Sequence, residues 1–182
     1  TQQGLGLFLG ITGCEWNGTD AIALGMADYL LDDDCKDQLP TMLAKQSWSD
    51  NADKNHETMS QCLQSLPPAA VLPQFTPHIN TIAAACSGSL KHATTALQSL
   101  SINEAWFERA LENLTHGCPV TACIVAEQLQ RGRGMPLADV FRMEWVLSMQ
   151  CMQHPDFPEG VRAQLVDKDK TPRWQFTSID AV

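Results

Sequence analysis

Between Ser101 and Met152 the chain is punctuated into three successive helices, and these starts and stops constrain the fold more than any other feature. In "SINEAWFERALENLTHG", Ser101 stands three residues ahead of Glu104, a capping-box spacing, and Gly117 supplies the stop. Trp106, Ala110 and Leu114 recur every fourth residue, with Phe107 and Leu111 alongside, so one apolar face follows the helical period. Pro119 fits the first position of a second helix, "PVTACIVAEQLQRG", and Pro136 the first position of a third, "PLADVFRMEWVLSMQCM". Proline suits that position because the missing N–H would be unbonded there in any case.

The first half points the same way with fewer marks. "GLGLFLGITG" is apolar, and "NGTDAIALG" offers Thr19 as N-cap of a short helix with Gly25 as its end. Tyr29, Leu30 and Leu31 in "MADYLL" form the one credible strand. Residues from Cys35 to Gln64 read as helical in pieces. "LPPAAVLPQFTP" cannot be helical, because Pro67, Pro68, Pro73 and Pro77 remove donors and push the preceding residues to extended conformations. The expectation is a mainly α chain with at most one or two short strands, too few for a free-standing sheet. Three segments are expected: 1–34 (helix, short helix, strand), 35–100 with the proline-rich connector, and 101–182 as a helical domain.

Charge and cysteine usage exclude several classes. A net charge of −9 leaves no basic surface to hold nucleic acid or an anionic membrane. No apolar run approaches the ~18 residues of a membrane span, and no targeting signal is seen. The seven cysteines are odd in number and irregular in spacing, which suits reduced thiols in the cytoplasm. The histidines are scattered, with no HExxH and no finger spacing, so no metal site is expected. The glycines of "GLGLFLG" follow GxGxxxG with no preceding strand, which suits helix packing better than dinucleotide binding. Cys118 lies two residues from His116, a spacing that points side chains apart on a helix, so an inert thiol is expected.

One acidic residue interrupts an apolar stripe. Leu137, Val140, Phe141, Leu147 and Cys151 share a helix face, and Glu144 falls within it. A carboxylate in such a place needs a partner, and Arg162 is the best candidate. Glu144 is either half of an ion pair locking two helices or an acid or base in a cleft.

The stretch "HPDFPEGVRAQLVDKDKTPRW", residues 154 to 174, carries eight charged side chains and three prolines. Asp156 can serve as an N-cap with Glu159 reaching back to it, while Phe157, Val161 and Leu165 recur every fourth residue to face a core. The helix should run to about Asp167, with Pro172 blocking continuation and Trp174 anchoring the tail.

"MEWVLSMQCM" followed by this stretch resembles the C-terminal signature of the 3-hydroxyisobutyryl-CoA hydrolase branch of the enoyl-CoA hydratase/isomerase (crotonase) superfamily. "GLFLGITGCEWNGTDAIALGMADYLL", "TIAAACSGSLKHATTALQSL" and "CPVTACIVAEQLQRGRGMPLADVFRMEW" are similar to the same branch in the same order. One departure is that the branch usually shows Ser-Pro-x-Ser-Leu-Lys where this chain has Cys118 to Cys123. The resemblance implies the C-terminal, multi-helix part of a crotonase-type fold acting on acyl-CoA thioesters in valine catabolism, with residues 1–34 as the tail end of the crotonase core. It implies self-association and no cofactor beyond the acyl-CoA substrate. It also implies that the oxyanion hole and the working carboxylates precede Thr1, so no catalytic residue is expected among these 182 and the isolated chain should be inactive. Lys168, with Lys170 and Arg173, is the expected CoA contact; the alternative is charge pairing of Lys168 with Asp167 or Asp169. A stand-alone helical binding or assembly module, or part of an enoyl-CoA hydratase or isomerase, are the other functional readings.

Overall fold

The computed structural model describes residues 4–182. Among these, ten α-helices account for nearly all regular structure, joined by short 3-10 turns, and the expected strand shrinks to one antiparallel bridge between Leu31 and Pro68. The bridge exists because the proline-rich connector is extended and offers carbonyls: Asp32 N–H donates to Pro67 O at 3.2 Å and Ala69 N–H to Leu30 O at 3.3 Å.

The chain forms two compact units whose boundaries differ from the expected 1–34, 35–100 and 101–182. One unit is Trp16–Ile79. The other joins the described residues up to Glu15 with Asn80–Val182. The reason is the packing of α1 (Leu5–Thr12), which buries Leu5 and Phe8 completely and lies against α7 (Ala105–His116) and α8 (Pro119–Arg131).

In the unit Trp16–Ile79, α2 (Gly18–Ala23) is capped by Asn17 and not by Thr19. Asn17 Oδ1 accepts from Asp20 N–H at 3.0 Å, and Thr19 Oγ1 instead donates to Val71 O at 2.6 Å. Asp20 is fully buried. Its carboxylate accepts from the N–H groups of Gln74, Phe75 and Thr76 and from the Thr76 hydroxyl, which pins the proline-rich connector to α2. Helices α3 (Gln38–Ala44) and α4 (Ala52–Gln64) pack against each other, with Cys62 and Leu66 buried.

The other unit has the main core. Phe8 and Phe107 stack with ring centroids 6.4 Å apart, Trp106 meets Phe107 edge-on, and Ile82 of α5 (Ile79–Ala85) and Leu97 of α6 (Leu90–Gln98) are fully buried. Asn113 Nδ2 donates to Thr12 O, tying α7 to the end of α1. Gly10 permits the approach of α8: a Cβ there would lie 2.5 Å from Val125 Cγ1. Helix α7 starts after Glu104, which makes no side-chain cap bond, so the Ser101–Glu104 capping box is not formed. Pro119 is the first residue of α8 as expected, and Pro136 sits one position before α9 (Leu137–Gln153).

Candidate functional site

The C-terminal stretch folds as α10 (Asp156–Val161), continues as a π-helical turn over Arg162–Val166, and closes at Asp167, whose N–H donates to Arg162 O at 2.8 Å. A wide turn of this kind inserts an extra residue and turns the following side chains through a new angle. Phe157 and Val161, ahead of this turn, and Leu165, within it, do not enter a core: all three are exposed. They border a cleft of about 420 Å³ whose other walls include Ile124 of α8, His154 and Trp174.

Arg162 is the centre of the polar side of this segment. Its Nε donates to Glu159 Oε2 at 2.9 Å, its Nη2 to Glu159 Oε1 at 2.8 Å and to Thr171 O, and its Nη1 to Asp167 and Asp169. The expected Glu144–Arg162 pair is thus corrected. Glu144 is exposed on α9, where it borders a shallow depression with Gly6, Gly10 and Arg133, and Arg162 is satisfied by carboxylates within seven residues of itself. The stripe around Glu144 is open too, with Leu137 71% and Phe141 63% exposed, so the carboxylate keeps its water and needs no partner.

The electrostatics follow from this geometry. The Arg162 guanidinium, with the Arg173 N–H, holds the Glu159 carboxyl at about 2, and the guanidinium with the Thr171 N–H holds Asp169 at about 2. The same contacts raise Arg162 above its ordinary value. Glu159 is therefore a clamp. Its Oε1 also accepts from Arg173 N–H at 2.7 Å, which folds the tail back over α10.

Asp156 is not the N-cap of α10: it lies inside the helix and is 7% exposed. Its Oδ1 accepts from Gln175 N–H at 2.7 Å, and its Oδ2 accepts from the Cys118 thiol at 3.3 Å. One carboxylate thereby joins the start of α8, the start of α10 and the C-terminal segment. Trp174 Nε1 donates to His116 O at 2.9 Å, so the indole anchors the tail as the sequence suggests. Cys118 could not be picked from sequence as a neighbour of Asp156, because 38 residues and two helices separate the two.

Lys168 and Lys170 are exposed, and both have φ of 56°. Left-handed backbone is uncommon for residues with a Cβ. Here it alternates the chain's direction so that Asp167 and Asp169 turn toward Arg162 while the lysines fall outside the cluster. Arg173 is exposed at the other side of Glu159. The three expected CoA contacts are thus near one another in sequence and at the surface. Burial pushes the Cys86 thiol up to about 11, which makes it inert. Among the described residues, no group of three or more His, Cys, Asp or Glu side chains is placed to hold a metal ion, and no helix is long and apolar enough to cross a membrane.

Comparison with known proteins agrees with this architecture. The family model described as enoyl-CoA hydratase/isomerase matches residues 1–182. The zebrafish (Danio rerio) protein "3-hydroxyisobutyryl-CoA hydrolase, mitochondrial" is 31% identical over 184 residues, covering 100% of this chain and 47% of the relative. The chain thus spans about half the length of the curated relatives it matches. Among solved structures, an enoyl-CoA hydratase from Rhodobacter sphaeroides superposes with a TM-score of 0.71 at 25% identity, over 97% of this chain and 48% of that one. A carnitinyl-CoA dehydratase from Mycobacterium thermoresistibile superposes with a TM-score of 0.78 at 22% identity, over 99% and 48%, a likeness of fold alone.

Proposed function

The chain belongs to the enoyl-CoA hydratase/isomerase family, and on that premise we propose that it serves as the helical part of a CoA-thioester hydrolase of the 3-hydroxyisobutyryl-CoA type. The observation that carries this reading is the match, over its whole length, to a protein named for that hydrolysis. In this reading the helices cover the acyl-CoA pocket and make subunit contacts, for which the open apolar faces of α9 and α10 are suited. The chemistry of thioester attack, an oxyanion hole and working carboxylates, lies in residues other than these.

Lys168, Lys170 and Arg173 are the proposed contacts for CoA phosphates. Support comes from their exposure and from the capture of Asp167 and Asp169 by Arg162, which leaves those carboxylates engaged away from the lysines. Acyl-CoA is the substrate in this reading and no further cofactor is required. The cysteines are free thiols, which supports a reducing compartment; the cytoplasm is the reading from sequence, and the zebrafish relative is named mitochondrial.

Release of free thiol from 3-hydroxyisobutyryl-CoA tests the proposal. The 182-residue chain is expected to give no turnover above the uncatalysed rate and, by calorimetry, weak or no CoA binding. Measurable hydrolysis or a submicromolar dissociation constant would overturn it. A second reading, part of an enoyl-CoA hydratase, draws on the Rhodobacter structure. Loss of the enoyl absorbance of a 2-enoyl-CoA, without thiol release, would favour that one.

A further inference from the structure

Asn17 precedes Gly18, the one Asn-Gly step in the chain; every other asparagine precedes a residue with a Cβ. At such a step the backbone can attack the neighbouring side-chain amide, because no Cβ shields the glycine nitrogen. As the first residue of α2, Gly18 also has no intrahelical acceptor for its N–H. Both residues are fixed by what surrounds them. Gly18 lies against Leu30, where a Cβ would run into Leu30 Cδ1, and Asn17 supplies the cap of α2.

The Asn17 side chain fastens α2 to the proline-rich connector. Its Oδ1 accepts from Asp20 N–H at 3.0 Å, and its Nδ2 donates to Leu72 O at 2.8 Å, so both ends of the amide are engaged. The Thr19 hydroxyl, bonded to Val71 O, is the companion tie at this end of the connector, whereas Gln74, Phe75 and Thr76 hang on Asp20. The Asn17 and Thr19 ties are solvent-exposed, and Leu72 itself is 87% exposed. Few apolar contacts and exposed hydrogen bonds are what let a segment open locally while the rest of the fold stays shut.

We propose that Asn17 is a deamidation site, guarded by its two side-chain bonds and converted when the Val71–Leu72 end of the connector opens. In the open state the Gly18 nitrogen loses its proton and bonds to Asn17 Cγ, the Cγ–Nδ2 bond breaks, and the amide leaves as ammonia with a proton. Water then opens the cyclic imide at either carbonyl, giving aspartate or isoaspartate. Aspartate still caps α2, but it carries no donor. A carboxylate oxygen would face Leu72 O, and a second negative charge would stand at the turn where Asn17 N–H meets the Asp20 carboxylate. Isoaspartate lengthens the backbone by one carbon and loses the cap as well. The change runs one way, so a connector released by it stays released, whatever reaction the chain serves.

The test is incubation of the folded chain at mildly alkaline pH, followed by peptide mass analysis that resolves aspartate from isoaspartate. Asn17 should convert ahead of every other asparagine, yet several-fold more slowly than in the same chain held unfolded in denaturant. In Thr19→Val, which loses the Val71 tie and keeps the Asn-Gly step, conversion should be several-fold faster than in the parent. Asn17→Asp reproduces one product directly. Thermolysin should cut it at the Val71–Leu72 bond several-fold faster than the parent, with cleavage elsewhere unchanged. Conversion of Asn17 no earlier than the other asparagines, equal rates in the folded and unfolded chain, an unchanged rate in Thr19→Val, or parental cleavage at Val71–Leu72 in Asn17→Asp would each overturn the proposal.

Discussion

Arg162 and Glu159 meet through a two-point contact across one turn, Nε to Oε2 at 2.9 Å and Nη2 to Oε1 at 2.8 Å. The fork of the guanidinium matches the carboxylate and leaves Nη1 for Asp167 and Asp169. Arg162→Lys keeps the charge and loses the fork, and one ammonium cannot span both sides of the cluster. Amide exchange at Arg173 and Thr171 should accelerate in Arg162→Lys and further in Arg162→Ala. Equal protection in the parent and the lysine variant would show that the fork geometry is not what holds the tail.

Acid should loosen this cluster before it unfolds the core. Glu159 is depressed from 4.5 to about 2 and Asp169 from 3.8 to about 2, so their contribution is complete above the ordinary carboxylate range and is lost as pH falls toward 2. Between about pH 4.5 and 2 the melting temperature of the parent should fall more steeply than that of Glu159→Gln. Parallel melting curves across that window would mean that Glu159 contributes nothing through its charge.

Asp20 should be the most costly single carboxylate to remove. Burial pushes its pKa up, but bonds from the Thr76 hydroxyl and the N–H groups of Thr76, Phe75 and Gln74 outweigh that, and the group is held below its ordinary value. Asp20→Ala leaves these donors unpaired in a site sealed from water, which should cost about 3 kcal/mol or more in denaturant unfolding. Asp20→Asn should recover part of the loss. A cost below about 1 kcal/mol for the alanine variant would show that water replaces the carboxylate.

Gly10→Ala should push α1 off α8. The new methyl would stand 2.5 Å from Val125 Cγ1, a distance that forces a shift costing about 1–3 kcal/mol. Val125→Ala removes the clashing carbon, so the double variant should be more stable than the sum of the single losses. Strict additivity in chemical denaturation would place the strain of Gly10→Ala elsewhere.

Much of the helical layout is legible in the residues themselves. Gly117 and Pro119 mark the break between α7 and α8, the connector prolines forbid a helix, and the stretch from His154 to Trp174 carries the family resemblance. These are local effects: a missing N–H, a missing Cβ or a short-range clash acts whatever the rest of the chain does. Where the cue was a cap and not a breaker, the sequence was less decisive. Asn17 and not Thr19 caps α2, because the Thr19 hydroxyl has a better acceptor in Val71 O, 52 residues away.

The sequence by itself therefore determined where glycine and proline break the helices, and which residues share a face. Only the tertiary structure decided what those faces meet. The period that aligns Leu137 with Phe141, or Phe157 with Val161 and Leu165, says nothing about whether another element covers them, and here they lie open. The same holds for charge: spacing placed Glu144 in an apolar stripe, but Arg162 pairs with Glu159 three residues before it and with Asp167 and Asp169, which follow a π-helical turn and flank the left-handed Lys168. A carboxylate is stabilised by the donors around it in space, and for Asp156 those come from Cys118 and Gln175, which the chain brings together only when it folds.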